Sequence, residues 1–172
     1  MSFAEFEQSI ESPALKAVAA HWNSVRGTSL MPSWSDIRPS AIAKQLPIIW
    51  CYVYEPDQDE FIGRLGGEAI NRIFGRNIKG AKLSELGAII DRDRLVERFK
   101  RVMREPALVS GFSSMFSRSD QYGVGERIIM PLGADRQASD AVFGATDYHE
   151  RGNVPSDLRK LHTREYWFAL TD

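Results

Sequence analysis

One cysteine, Cys51, occurs in 172 residues. That excludes an intramolecular disulfide and a cysteine-rich zinc site. Histidine is nearly as scarce, with three residues at positions 21, 149 and 162. Net charge is almost absent: 22 Lys and Arg against 23 Asp and Glu leave −1 at pH 7. A chain so balanced has no global electrostatic drive toward nucleic acid or an anionic membrane, and neither is expected as a partner. No apolar run approaches the ~20 residues that span a bilayer. The start, MSFAEFEQSIESPALK, lacks the basic-then-apolar order of a secretory signal. A cytoplasmic protein is expected. There is no internal repeat and no low-complexity segment.

What is there is ordinary for a globular protein: 43% hydrophobic and 26% charged residues, in a length that suits one domain with its own core. Ser2 with Glu5 fits a capping box for a first helix carrying Phe3, Phe6 and Ile10. Ser12 and Pro13 open a second helix, whose stripe is Leu15, Val18, Ala19, Trp22 and Val25 and whose stop is Gly27. Residues 28–47 are broken by Pro32, Pro39 and Pro47, with a short helix in PSAIAKQL. IIWCYVYE and EFIGRLGG read as a strand hairpin around the turn PDQD. EAINRIFG is a short helix with Ile70, Ile73 and Phe74 on one face. DRDRLVERFKRVMRE is a longer helix with the stripe Leu95, Phe99, Val102 and Met103, blocked by Pro106.

Three strand-like runs follow, Ala107–Ser117, Gly125–Leu132 and Asp140–Tyr148. The tail predicts a packed helix from Ser156, anchored by Tyr166, Trp167, Phe168 and Leu170. This order predicts an α+β fold: a five-stranded antiparallel sheet with helices on one face. Residues 1–27 form an N-terminal helical extension, 28–150 the central domain and 151–172 the tail.

Several motifs stand in register with a known family. They are HWNSVRG, MPSWSDIRPSAIAKQLP, FIGRLGGEAINRIFGRNIKG, RIIMPLG and FGATDY, spread from Trp22 to Tyr148. Through them the chain resembles a PAS-like family of small, mostly alphaproteobacterial proteins. Trp34 stands where that family often has a basic residue. The resemblance implies a PAS-like sheet and a non-enzymatic sensory or regulatory role. Such a protein binds a small apolar or amphipathic ligand, a signalling protein partner, or both. Helices preceding a PAS core often pair between subunits, so the apolar stripes of the first two helices predict a homodimer.

In such a fold the ligand cavity lies between the sheet and the central helices. The helices are expected to contribute Ile73, Phe74, Leu95, Phe99, Val102 and Met103, and the strands Met130 and Gly144. Alternation sets Ile128 and Met130 against Ile129, and Val142 and Gly144 against Phe143 and Ala145. It leaves open which set points inward.

No cofactor, metal or catalytic residue is expected. Haem needs an axial ligand on the helical face, and all three histidines lie outside the central helical segment. Met103 reads as core. A flavin-thiol sensor needs a helical cysteine, whereas Cys51 falls in a strand. DRDR at 91–94 reads as helix-start electrostatics, and PDQDE at 56–60 as a solvated turn. G-x-S-x-G, H-E-x-x-H and phosphate-loop motifs are absent. Asp147 and His149 share a strand face without a nucleophile.

Arg92, Arg94, Arg98, Lys100, Arg101 and Arg104 have the chemistry to bind phosphate, but interleaved Asp91, Asp93, Glu97 and Glu105 make a solvated helix face the expectation. Trp22, Arg26 and Asp36 are expected to form a structural salt bridge under the indole ring. Two alternatives stand beside the sensory reading: a purely structural interaction module with a filled core, and a small enzyme on an α+β cavity fold, which a convergent acid–base pair inside the cavity would favour.

Overall fold

The structure is a computed structural model and describes residues 3–86, 92–118, 121–150 and 164–170. Ser2 and Asp91, and with them one predicted cap and part of another helix start, lie outside the described residues.

The chain opens with α1 (Phe3–Gln8) and α2 (Pro13–Arg26). Ser12 starts α2 as expected, its Oγ accepting the Leu15 N–H at 3.3 Å with Pro13 in the first turn. Two 3-10 segments, Trp34–Asp36 and Pro39–Ile48, cross to the sheet. The hairpin of β1 (Ile49–Glu55) and β2 (Glu60–Gly66) turns through Asp59 at φ 48°. Next come α3 (Glu68–Phe74), closed by Gly75 in the left-handed region, and α4 (Arg92–Arg104). The remaining strands are β3 (Ala107–Arg118), β4 (Gln121–Leu132), β5 (Ala141–Glu150) and β6 (Glu165–Ala169).

The α+β expectation holds, with two corrections. First, the sheet has six strands in the order β2-β1-β5-β4-β3-β6, every neighbour antiparallel. The sixth comes from the tail segment expected to be helical: Glu165–Ala169 pairs with β3 from Gly111↔Glu165 to Ala107↔Ala169. Its aromatics alternate. Phe168 meets Phe6 of α1 at 5.7 Å, and Trp167 lies under the Arg101 guanidinium of α4 at 4.2 Å. That is the period of a strand whose two faces are both covered. The rest of the predicted helix, 156–163, lies outside the described residues.

Second, helices cover both faces of the sheet. On one face Phe6, Ile10, Leu15, Val18 and Trp22 pack over Ile49, Cys51, Ile128, Met130 and Phe143. On the other, Ile70 of α3 and Leu95, Phe99 and Val102 of α4 pack over Trp50, Tyr52, Ile129 and Val142. A sheet covered on both sides needs apolar residues at consecutive positions, and Ile128, Ile129, Met130 and Leu132 are all buried.

The N-terminal helices are therefore part of the packed structure. Phe6, Leu15, Val18 and Trp22 are fully buried within the chain, so the apolar surplus behind the expected homodimer is taken up by the sheet. Polar ties fix the joint between α1 and α2. Buried Glu126 accepts the backbone N–H groups of Glu11 at 2.7 Å and Ser12 at 2.6 Å. Ser12 Oγ donates to Asp147 Oδ2 at 2.6 Å. The Trp22 indole N–H donates to the Pro131 carbonyl at 3.0 Å. Charge-assisted bonds to a buried carboxylate are among the stronger hydrogen bonds, which suits a joint made of backbone donors.

Candidate functional site

Strand alternation builds a compartment on the face beneath α3 and α4. Trp50 and Tyr52 project from β1, Thr146 and Tyr148 from β5, and Arg127 from β4; Ile70, Phe74, Leu95 and Phe99 close it from the helices. Phe99 is the hub. Its ring stacks on Trp50 at 5.4 Å and 23°, tilts against Tyr52 at 5.7 Å, and meets the edge of Phe61 at 5.3 Å and 77°. The remaining cavity is about 20 Å³, room for roughly one water.

One end of this aromatic slot is polar. The Trp50 indole N–H donates to Thr146 Oγ1 at 2.9 Å. Arg127 is buried beside it, and Arg98 of α4 and Glu165 of β6 join it from behind. Arg98 Nε lies 2.5 Å from Glu165 Oε2, and Arg127 reaches the same oxygen at 3.7 Å. Burial first, then the neighbouring Arg98 charge, pull the Arg127 guanidinium down to about 10 while Glu165 opposes. Burial pushes the Tyr148 hydroxyl up to about 12 and raises Tyr52 as well. Both phenols stay protonated near neutral pH. The slot thus has flat apolar walls and one end lined by Arg127, Thr146 and Tyr148.

Of the site residues read from the sequence, Phe74, Leu95 and Phe99 line this cavity. Val102 and Met103 belong to the same core without reaching the cavity, and Ile73 is half-buried outside the lining. Met130 is corrected: it faces the other side of the sheet, in the core beneath α1 and α2. Gly144 has the right face, but the Trp50 ring lies so close that a Cβ there would collide with it. The missing side chain makes room for the indole rather than for a ligand.

Trp50, Tyr52, Ile70, Arg127, Thr146 and Tyr148 were not anticipated. The usable signal was a polar residue inside an apolar strand: Arg127 before Ile128, and Thr146 two positions from Gly144.

Two other expectations change. Asp36 does not pair with Arg26; it takes Arg136 in a two-pronged contact at 3.0 and 2.7 Å. Arg26 instead lies 5.6 Å over the Trp22 ring and donates to Asn23 Oδ1 and the Ser29 carbonyl. The cause is local: the Ser33 backbone N–H holds the Asp36 carboxylate in a capping box, which turns it toward the loop between β4 and β5. On α4, Arg101–Glu105 and Arg104–Glu97 are exposed pairs, and Lys100 reaches Asp59. Arg98, 9% exposed, departs from the expected solvated face. No helix among the described residues is long and apolar enough to cross a membrane.

A family model for the PAS domain matches residues 10–147. Among solved structures, the fold is similar to that of VqmA bound to DPO, at a TM-score of 0.50 and 12% sequence identity. The likeness covers 66% of this chain and 56% of that one, so the chain spans little more than half the length of VqmA. No curated protein matches the sequence.

Proposed function

The chain belongs to the PAS domain family, and we propose that it is a non-enzymatic sensory protein with its ligand site in the compartment under α3 and α4. The ligand is a small, flat, largely apolar molecule with one polar edge. The observation that carries this reading is the aromatic slot of Trp50, Tyr52, Phe74 and Phe99 ended by Arg127, Thr146 and Tyr148. Apolar walls with a few convergent polar groups are the usual make-up of a small-molecule site. Phenols raised as far as Tyr148 are poorly matched to proton transfer at neutral pH, which favours binding over catalysis. VqmA is bound to DPO in its structure, so a protein of similar fold accommodates a ligand. The ligand class here is argued from this chain's own residues.

A cavity of about 20 Å³ is far below the ~300 Å³ at which ligand pockets begin. Binding therefore requires Phe99 and Phe74 to swing away and α4 to shift. That movement is the signal, read by a protein partner, since a ligand shifts a conformational equilibrium only through its differential affinity. The same small volume favours a second reading, an interaction module with a filled core.

Ligand-observed NMR against a panel of small heterocycles and phenols separates the two. The sensory reading expects binders whose signals vanish in Arg127→Met, with the fold retained. A panel that finds no binder, or binders indifferent to both Arg127→Met and Phe99→Leu, favours the filled core.

A further inference from the structure

A larger concavity lies on the opposite face of the sheet, between the 33–36 loop, β2 and the loop joining β4 to β5. Its volume is about 560 Å³, within the range of metabolite sites. Cys51 and Val53 of β1 form its floor, with Leu132 beside them. Arg64 and Asp140 stand on its two sides.

Arg64 is placed there by a break in the β1–β2 register. Cys51 pairs with Leu65 and Tyr52 with Gly63, so Arg64 is the extra residue of a β-bulge. Bulges re-aim a side chain and are common beside binding sites. The re-aimed guanidinium lies 4.6 Å over the Trp34 ring, a cation–π contact that restricts its plane, and Arg64 lines the groove. Arg64 makes no ion pair among the described residues. Asp140, just before β5, accepts the Ala134 N–H through Oδ2 at 3.1 Å and likewise has no cationic partner among them.

β1 runs between β2 and β5, so the backbones of Arg64 and Asp140 lie two strand spacings apart across the sheet, roughly 10 Å, and are offset along β1, Arg64 at the Cys51–Tyr52 bulge and Asp140 beside Tyr54. Both act on the Cys51 thiol at the floor, in opposite directions. The walls are pre-built. Arg136 holds Asp36 with two hydrogen bonds, and the Gly133 N–H donates to the Pro32 carbonyl at 3.1 Å. Arg136 sits at φ 62°, a left-handed conformation that non-glycine residues rarely adopt.

We propose that this groove is a second binding site and that it takes a small zwitterion with an apolar body, a free apolar amino acid. Arg64 receives the carboxylate, Asp140 the ammonium, and Val53 and Leu132 the side chain. Fixed opposite charges flanking an apolar floor select a ligand bearing both charges over one bearing either alone. The site is independent of the aromatic compartment, because the whole thickness of the sheet lies between them.

Calorimetric titration of the full chain with L-leucine, L-methionine and L-phenylalanine tests it. At least one should bind. Its amide, which lacks the carboxylate, and its N-acetyl form, which lacks the ammonium, should each bind at least tenfold more weakly. Arg64→Gln and Asp140→Asn, with unchanged thermal unfolding, should give the same loss. Arg127→Met, on the other face, should leave the titration unchanged, so failure here is distinguishable from failure of the sensory reading. Absence of binding across the three amino acids at millimolar concentration overturns the proposal. So does binding that tolerates both capped forms, or binding lost in Arg127→Met but not in Arg64→Gln.

Discussion

Arg98 of α4 and Glu165 of β6 meet at 2.5 Å with side chains 9% and 20% exposed, so a helix over the aromatic compartment is tied directly to the edge strand β6. Arg127, at the polar end of the compartment, faces the same carboxylate at 3.7 Å. β6 is a five-residue edge strand. Any displacement of α4 or rotation of Arg127 acts on the contact between α4 and β6.

Glu165→Ala should therefore cost more than an ordinary surface substitution. Removing the carboxylate from this half-buried contact leaves the Arg98 and Arg127 charges facing one another, at a cost of about 2 kcal/mol, less than for a fully buried pair. Urea unfolding should show that loss, and amide exchange should first accelerate in Ala107–Gly111, the stretch of β3 paired with β6. A loss under about 1 kcal/mol would mean that this pair does not hold the strand.

Phe99→Ala should lower unfolding stability by about 3–5 kcal/mol, since the ring is fully packed and contacts three other aromatic rings. Phe99→Leu should cost less and enlarge the cavity while keeping the fold. Denaturant titration of the two variants checks the order.

Much of this core was legible because its signals are local. The α4 stripe of Leu95 and Phe99, and the Ser12–Pro13 start of α2, are readable within a few residues of chain. Met130 was misplaced because Ile128–Leu132 is apolar throughout. Such a run carries no parity, and its facing depends on α1 and α2 covering the second face. β6 was missed because Tyr166, Trp167 and Phe168 suit a helix anchor as well as a strand. Their partner, β3, lies far back in the chain. Arg127 was missed for a related reason: one charge that faces it, Glu165, lies on that same unforeseen strand.

Cys51 should be inert in the folded protein. It is buried, and burial pushes its thiol up to about 12, so little thiolate exists at pH 8. Reaction with a disulfide reagent should be slow in buffer and fast in denaturant. Rapid native labelling would show that the groove floor opens in solution.

Asp36 should contribute to stability in a defined pH window. Its hydrogen bonds from Arg136 and then Ser33 lower its carboxyl from 3.8 to about 2. A carboxylate depressed in the folded state stabilises fully above the unfolded value and loses that contribution as pH falls through the folded one. The gap in melting temperature between the wild type and Asp36→Asn should thus be constant from pH 5 to pH 7 and narrow below pH 4. A gap that persists unchanged at pH 2 would assign the effect to packing.

Native mass spectrometry addresses the sensory reading most directly. Protein purified without denaturation would be equilibrated with a small-molecule extract of the cells that produce it naturally, then sprayed intact. The account predicts an added small mass that is lost in folded Arg127→Met and retained in Arg64→Gln. A spectrum with only the bare chain, or one in which every added mass survives in Arg127→Met, would contradict it.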